Sequence, residues 1–511
     1  MLKSLFYFRC VRYRLLIILC FISFSSQGYY DLNPRLRTAY TKIIGLRLAE
    51  GRDLLQKERM SNPGNHLTVL YENYVDFLIA FITEDAELFK QFKSNSTERI
   101  KLLSKEEKEG SSPFHLYALA EMTLQEAMLK IKFHEYLAGA TEIRKAYKMI
   151  QRNQLIFPSF ILNNKLDGFV HTMVGAVPQE YRWLIELVGM EGTVSGGTQE
   201  LKDLYAMLDG SEFECYREEV LFYLGIIHNA FAQDEIEADE LLDLMMPFTK
   251  SNPLLRYSYT NIAMKWGRNE EALPLFEIMP SDKGTFPFYY LNYKRGLARL
   301  RKLDLGAEED FKFFLKNFAG INHRKSVSQK LAWIELLRGN KLKYDYYIKL
   351  CLSKGEMNVD EDKDAYQEAV SGEVPNIILL RARLLFDGGY YRQSWAEIAG
   401  KPVDSFPRFK DQLEVTYRLG RIMEKLGIMD KAIQYYTQTY KNGISQSYYF
   451  SANSALLLGA IYEERENFNL ALDYYKKCLS LRGHEYQNSI DQKAQAGIDR
   501  INERLKPPGK K

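Results

Sequence analysis

The residues of this chain that could do chemistry are few, and their spacing withholds the partners that chemistry needs. His134-Glu135 opens the zinc-helix pattern, but the second histidine due three positions beyond the glutamate is missing, so the pair reads as a solvated helix face. Gly192 to Gly196 reads Gly-Thr-Val-Ser-Gly, which sets Ser195 one place late for a nucleophile elbow and predicts a turn. Asp360-Glu361-Asp362-Lys363-Asp364 alternates carboxylates as a calcium loop does. Ala365 stands where the sharp turn needs glycine, however, and Ser371 where a bidentate glutamate should close the site, so the stretch reads as an acidic loop between repeats. Neither a Gly-x-x-x-x-Gly-Lys phosphate loop nor a Gly-x-Gly-x-x-Gly fingerprint occurs. Asn95-Ser96-Thr97 has the form of a glycosylation acceptor. The reading is a non-enzyme with no catalytic residue, no cofactor and no metal site.

The elements that would carry any binding surface are helices. Apolar residues recur with helical periodicity, alternating strand-like runs are scarce, and 15 prolines in 511 residues leave long helices unbroken. Leu36–Arg59, His66–Thr83, Pro113–Lys132 and Tyr136–Arg152 read as long amphipathic helices. Lys93 to Ser112 reads as a helix end with an exposed loop. Between Phe157 and Leu208, Gly175, Pro178, Gly189, Gly192, Gly196 and Gly197 surround Trp183, predicting short helices with Gly turns, one of them starting at Thr198. This stretch is expected to act as the hinge between an N-terminal helical domain and a repeat array.

From about Phe213 the pattern becomes one of repeated hairpins. Leu419-Gly420 is followed by Ala432 and Tyr436; Leu458-Gly459 by Ala471 and Tyr475. In both, the small residue lies 12 positions beyond the glycine and the aromatic 4 beyond that. Weaker versions surround Gly225, Gly267, Gly296, Gly339 and Gly389, giving six or seven hairpins. The fold class is all-α: an N-terminal helical domain over 29–212, then an α-solenoid over 213–485. Residues 486–505 form a capping helix over the exposed apolar end, and 506–511 a disordered tail.

Residues 1–28 stand apart. Lys3, Arg9, Arg12 and Arg14 precede a ten-residue apolar core, Leu15 to Phe24, and small residues come after it, the order of a secretory signal peptide. Ten apolar residues fall short of the ~20 that span a bilayer. Cys20 follows Leu19, where lipidation needs a small residue. Removing this segment takes away four basic residues and no acidic ones, so the formal charge moves from +3 to −1. A near-neutral chain offers no electrostatic case for nucleic acid. Cys215, Cys351 and Cys478 are too sparse for a disulfide framework, and Cys478 is expected as a buried small hydrophobe.

The region Gly189 to Leu481 resembles tetratricopeptide-repeat proteins, which are binding scaffolds. Val174 to Leu201 more weakly resembles the eukaryotic inclusion-body-clearance family of helical repeat proteins. The first resemblance implies that the first helix of each hairpin lines a concave groove. The outward stripe of those helices carries Arg383, Tyr417, Arg421, Lys425, Asn453 and Glu463, a mixture suited to an extended polar peptide or an acidic segment. Tyr417 and Arg421 stand where a carboxylate clamp of such repeats has its first Lys and Asn, so that clamp is not matched. With the export signal, these features predict a scaffold or adaptor of a bacterial cell envelope, periplasmic or outer-membrane-associated. Its partner would be a protein or peptide, and membrane contact would be peripheral or through an uncleaved signal. The alternative is a glycan-binding helical-repeat protein working with an outer-membrane transporter.

Overall fold

The computed structural model describes residues 29–106, 110–177, 182–183, 189–231, 234–278 and 284–505; the signal-like segment and the C-terminal tail lie outside them. Among the described residues the elements are α-helices and short 3-10 turns. Extended pairing is confined to one bridge, Tyr29 to Asn65. The chain forms two units, residues 1–258 with 280–288, and residues 259–279 with 289–511.

The first unit contains α1 (Pro34–Ile44), α2 (Leu48–Ser61), α3 (Leu67–Thr83), α4 (Ala86–Glu106), α5 (Pro113–Lys132), α6 (Tyr136–Ile156), α7 (Asn163–Gly175), α8 (Val194–Leu208), α9 (Arg217–Phe231) and α10 (Glu235–Met245). The single helix expected over Leu36–Arg59 is two. Gly45 caps α1, and Leu46, at φ 58°, turns the chain before α2 begins. Helix α4 continues through the polar run to Glu106, so Asn95 lies mid-helix, donating to Asp76 at 3.0 Å. His134, at φ 67°, sits in the turn between α5 and α6 and not on a helix face.

Helix α8 starts at Val194, not at Thr198, because Thr193 caps it: the Thr193 hydroxyl accepts from the Gly196 amide at 3.0 Å. The glycines of this stretch serve close packing. A Cβ on Gly197 would stand 2.3 Å from the Gly168 carbonyl oxygen, and one on Gly175 2.4 Å from the Val194 nitrogen. Helices α7 and α8 therefore meet backbone to backbone, an approach that only glycine permits. The division between the units falls beyond this stretch, at Ser258–Tyr259.

The core of the first unit holds a charged centre. The Lys165 ammonium, fully buried, lies 2.8 Å from Glu121, 2.6 Å from Glu219 and 2.7 Å from the Tyr74 hydroxyl. Four tyrosine rings, Tyr74, Tyr117, Tyr216 and Tyr223, surround it at 5.4–5.8 Å. Tyr40 donates to the same Glu219 oxygen, and Tyr223 to the other at 2.8 Å. Burial pushes the Glu121 carboxyl up, and Lys165 pulls it back only in part. Burial costs of this size are met only when every charge is paired and hydrogen-bonded.

The second unit runs from within α11 (Pro253–Lys265) through α12 (Asn269–Phe276), α13 (Tyr290–Arg301), α14 (Ala307–Asn317), α15 (Arg324–Leu337), α16 (Lys341–Ser353), α17 (Asp360–Ser371), α18 (Ile377–Asp387), α19 (Tyr391–Ile398), α20 (Phe409–Lys425), α21 (Met429–Gly443), α22 (Phe450–Glu464), α23 (Phe468–Ser480) and α24 (Gln487–Leu505). The helices pack as consecutive hairpins, α13/α14, α15/α16, α18/α19, α20/α21 and α22/α23, with α24 against the last. Helix α17 is an insertion among them, packed on α15 and α16.

The spacing that marks the hairpins has a direct packing cause. A Cβ on Gly420 would lie 2.6 Å from the Tyr436 ring, and one on Gly459 2.6 Å from Tyr475. Ala432 and Ala471 are fully buried beside these rings. Gly296 meets Phe311 in the same way. The far side of Tyr475 is closed by Gly497 of α24, so the capping helix covers the last seam. Cys478 is buried there, and burial pushes its thiol up to about 12.

Candidate functional site

Seven residues from the first helices of three successive hairpins line a cavity of about 230 Å³: Arg383, Phe386 and Asp387 of α18, Tyr417, Arg418 and Arg421 of α20, and Tyr449 at the start of α22. Helical spacing brings them together, since residues three and four apart share a face. The lining sets three guanidinium groups against the Asp387 carboxylate, and Arg418 is matched further by Glu414.

The three arginines differ in how far the protein satisfies them. Arg418 is buried and held by Glu414, with contacts of 2.7 and 2.5 Å. Arg421 donates to the Tyr417 hydroxyl at 3.1 Å and lies 4.9 Å from the centre of the Phe386 ring. Arg383 stacks 4.4 Å over Trp333; among the described residues its buried Nη2 has no hydrogen bond but forms a long ion pair with Glu368 at 4.0 Å.

Of the six residues expected along the stripe, Arg383, Tyr417 and Arg421 line the cavity. Asn453 joins them indirectly, donating to the Tyr417 hydroxyl at 2.6 Å and so tying α22 to α20. Tyr417 is itself almost fully buried, stacked edge-on to Tyr449 with ring centres 5.6 Å apart. Lys425 is exposed in the last turn of α20, outside the cavity lining. Glu463 is enclosed and already engaged: Arg500 of α24 donates to it at 3.0 and 2.9 Å and Tyr475 at 2.6 Å. It occupies the place of Glu424 in the preceding hairpin, whose carboxylate likewise accepts from Tyr436.

Phe386, Asp387, Arg418 and Tyr449 were not anticipated from the sequence. Phe386 and Asp387 follow Arg383 by one helical turn, which was the available signal.

Beside the cavity, the acidic stretch Asp360–Asp364 opens helix α17 instead of forming a loop. Its Asp362 carboxylate accepts from the His323 and Ser326 amides at 2.5 and 2.8 Å, capping α15, and burial pushes its pKa up to about 6. Glu368 of the same helix accepts from the Trp333 indole at 2.6 Å and from Gln329 at 2.8 Å. Lys330 stacks 4.0 Å from Trp333, and loss of hydration pushes its ammonium down to about 8, only partly offset by Glu368. An acidic helix thus lies against Lys, Arg and Trp side chains of the hairpins, immediately next to a cavity of the same character.

A second cleft, about 650 Å³, lies in the first unit between α8, α9 and α10, lined among others by Ser195, Lys202, Leu224, His228 and Phe231. Ser195 stands in the first turn of α8, 3.5 Å from the Thr193 hydroxyl. No helix among the described residues is long and apolar enough to cross a membrane.

The fold and cavity define an all-α protein built largely from helical hairpins, with an arginine-lined recess on their first helices. No protein-family model matches the chain, and no curated protein matches it.

Proposed function

We propose that the protein is a non-enzymatic scaffold of the tetratricopeptide type that binds an acidic segment of a protein partner along the first helices of its hairpins. The observation that carries this reading is the gathering of Arg383, Arg418 and Arg421 from two successive first helices in one recess. Helix α17 supports it by example, since its Glu368 is already held by Trp333 and Gln329 of that surface. Glycan binding, the alternative, calls for flat aromatic platforms. The cavity's two tyrosines are instead packed edge-on to each other at 79°. The signal-like order of residues 1–28 supports the further part of this reading, a scaffold working in the periplasm or at the outer membrane of a bacterial envelope.

The test is affinity capture from envelope extract with the wild-type chain and with an R383A/R421A variant. The reading expects a protein partner captured by the first and lost from the second. Retention of both on polysaccharide, with no protein captured, would favour the glycan alternative and overturn it.

A further inference from the structure

We propose that Asp167, His171 and Glu200 form a site for a borderline divalent cation of the zinc class. Asp167 and His171 stand four residues apart on one face of α7, and Glu200 of α8 faces them. His171 Nδ1 lies 2.9 Å from a Glu200 oxygen, and Nε2 lies 3.6 Å from an Asp167 oxygen. One ligand atom from each residue lies within 4.8 Å of the other two. An imidazole nitrogen and carboxylate oxygens are both ligand types that zinc takes, and three protein ligands leave a fourth position open.

The surroundings support a cation. Among the described residues no lysine or arginine pairs with any of the three. Asp167, only 8 % exposed, is instead oriented by two neutral amides, Gln154 at 2.9 Å and Gln151 at 3.4 Å. Such neutral second contacts aim a ligating carboxylate without cancelling its charge. Tyr147 stands beside the triad, its ring centre 5.9 Å from that of His171.

The frame is rigid. Gly197 abuts the Gly168 carbonyl, and a Cβ on Gly192 would stand 2.8 Å from the His171 Cα. Ligands on backbones locked in this way hold their geometry. Zinc bonds of about 2.0–2.2 Å put neighbouring ligand atoms about 3.4 Å apart. Closing the triad from its present spacing takes a rotation of Glu200, which is partly exposed.

The proposal is independent of the scaffold reading and is tested on the full chain after chelator treatment. Zinc chloride is titrated calorimetrically, with thermal melting in parallel and magnesium chloride as the hard-cation control. The expected result is one zinc per chain and a raised Tm with zinc but not magnesium. The equivalent should be lost in His171→Ala and weakened at least about ten-fold in Glu200→Gln. Cobalt should give visible absorption bands that His171→Ala abolishes. If His171→Ala fails to fold, Glu200→Gln, at the partly exposed ligand, decides alone. No stoichiometric zinc in the wild type, or undiminished binding in Glu200→Gln, would show that His171 merely bridges two carboxylates and would overturn the site.

Discussion

The Tyr475 hydroxyl donates to Glu463 at 2.6 Å while its ring rests on the bare Cα of Gly459. The previous hairpin repeats the arrangement with Tyr436, Glu424 and Gly420. In each case the glycine admits the ring and the carboxylate one turn later fixes its polar end, so the hairpin seam is both apolar and hydrogen-bonded. This explains why Glu463, on a face that was expected to meet a partner, is enclosed.

Gly420→Ala should destabilise the second unit. Alanine gains about 1 kcal/mol of helix propensity, but the added methyl would sit 2.6 Å from a fully buried ring. Overpacking of that kind costs about 1–3 kcal/mol, so the net loss is about 1 kcal/mol. Denaturant unfolding of Gly420→Ala, Tyr436→Leu and the double variant measures it, and the double variant should be less destabilised than the sum of the two.

Acid should loosen the capping helix first. Burial would raise the Glu463 pKa, but hydrogen bonds from Arg500 and Tyr475 hold it below the ordinary glutamate value. A depressed carboxylate stabilises above its unfolded pKa of about 4.3, and that stability is lost as pH falls through the folded value. Hydrogen exchange across 487–505 should therefore accelerate below about pH 4.3. Arg500→Ala should accelerate it already at neutral pH, by removing a contact worth about 1–2 kcal/mol.

Lys165→Met should be among the most damaging single changes in the first unit. It strands Glu121 and Glu219 without their shared cation, and breaking a buried pair from one side costs about 3–5 kcal/mol. Adding Glu121→Gln and Glu219→Gln should recover much of the loss in thermal melting, because no buried charge then remains.

The helical class, the hairpins at Gly420 and Gly459 and the long helix α5 were legible because each rests on local spacing. The break at Leu46 was not, since its left-handed turn depends on how α1 and α2 pack and not on a glycine at that position. Within the recess, Arg383, Tyr417 and Arg421 were legible as a helical stripe. Lys425 and Glu463 share that stripe by spacing, but one lies past the cavity and the other meets α24, a partner 37 positions away. Asp167 and His171 stand four residues apart on α7, a pairing that was not expected from the sequence. Glu200 joins them only through the glycine contact of α7 with α8.

Binding in the arginine recess is tested most directly by fluorescence anisotropy with two labelled dodecapeptides, one glutamate-rich and one lysine-rich. The acidic peptide should bind the wild-type chain, weaken with added salt, and lose at least about ten-fold in affinity on R383A/R421A, the size expected when charge-assisted hydrogen bonds are removed. Equal binding of the two peptides, or acidic-peptide affinity unchanged by the double substitution, would contradict the account.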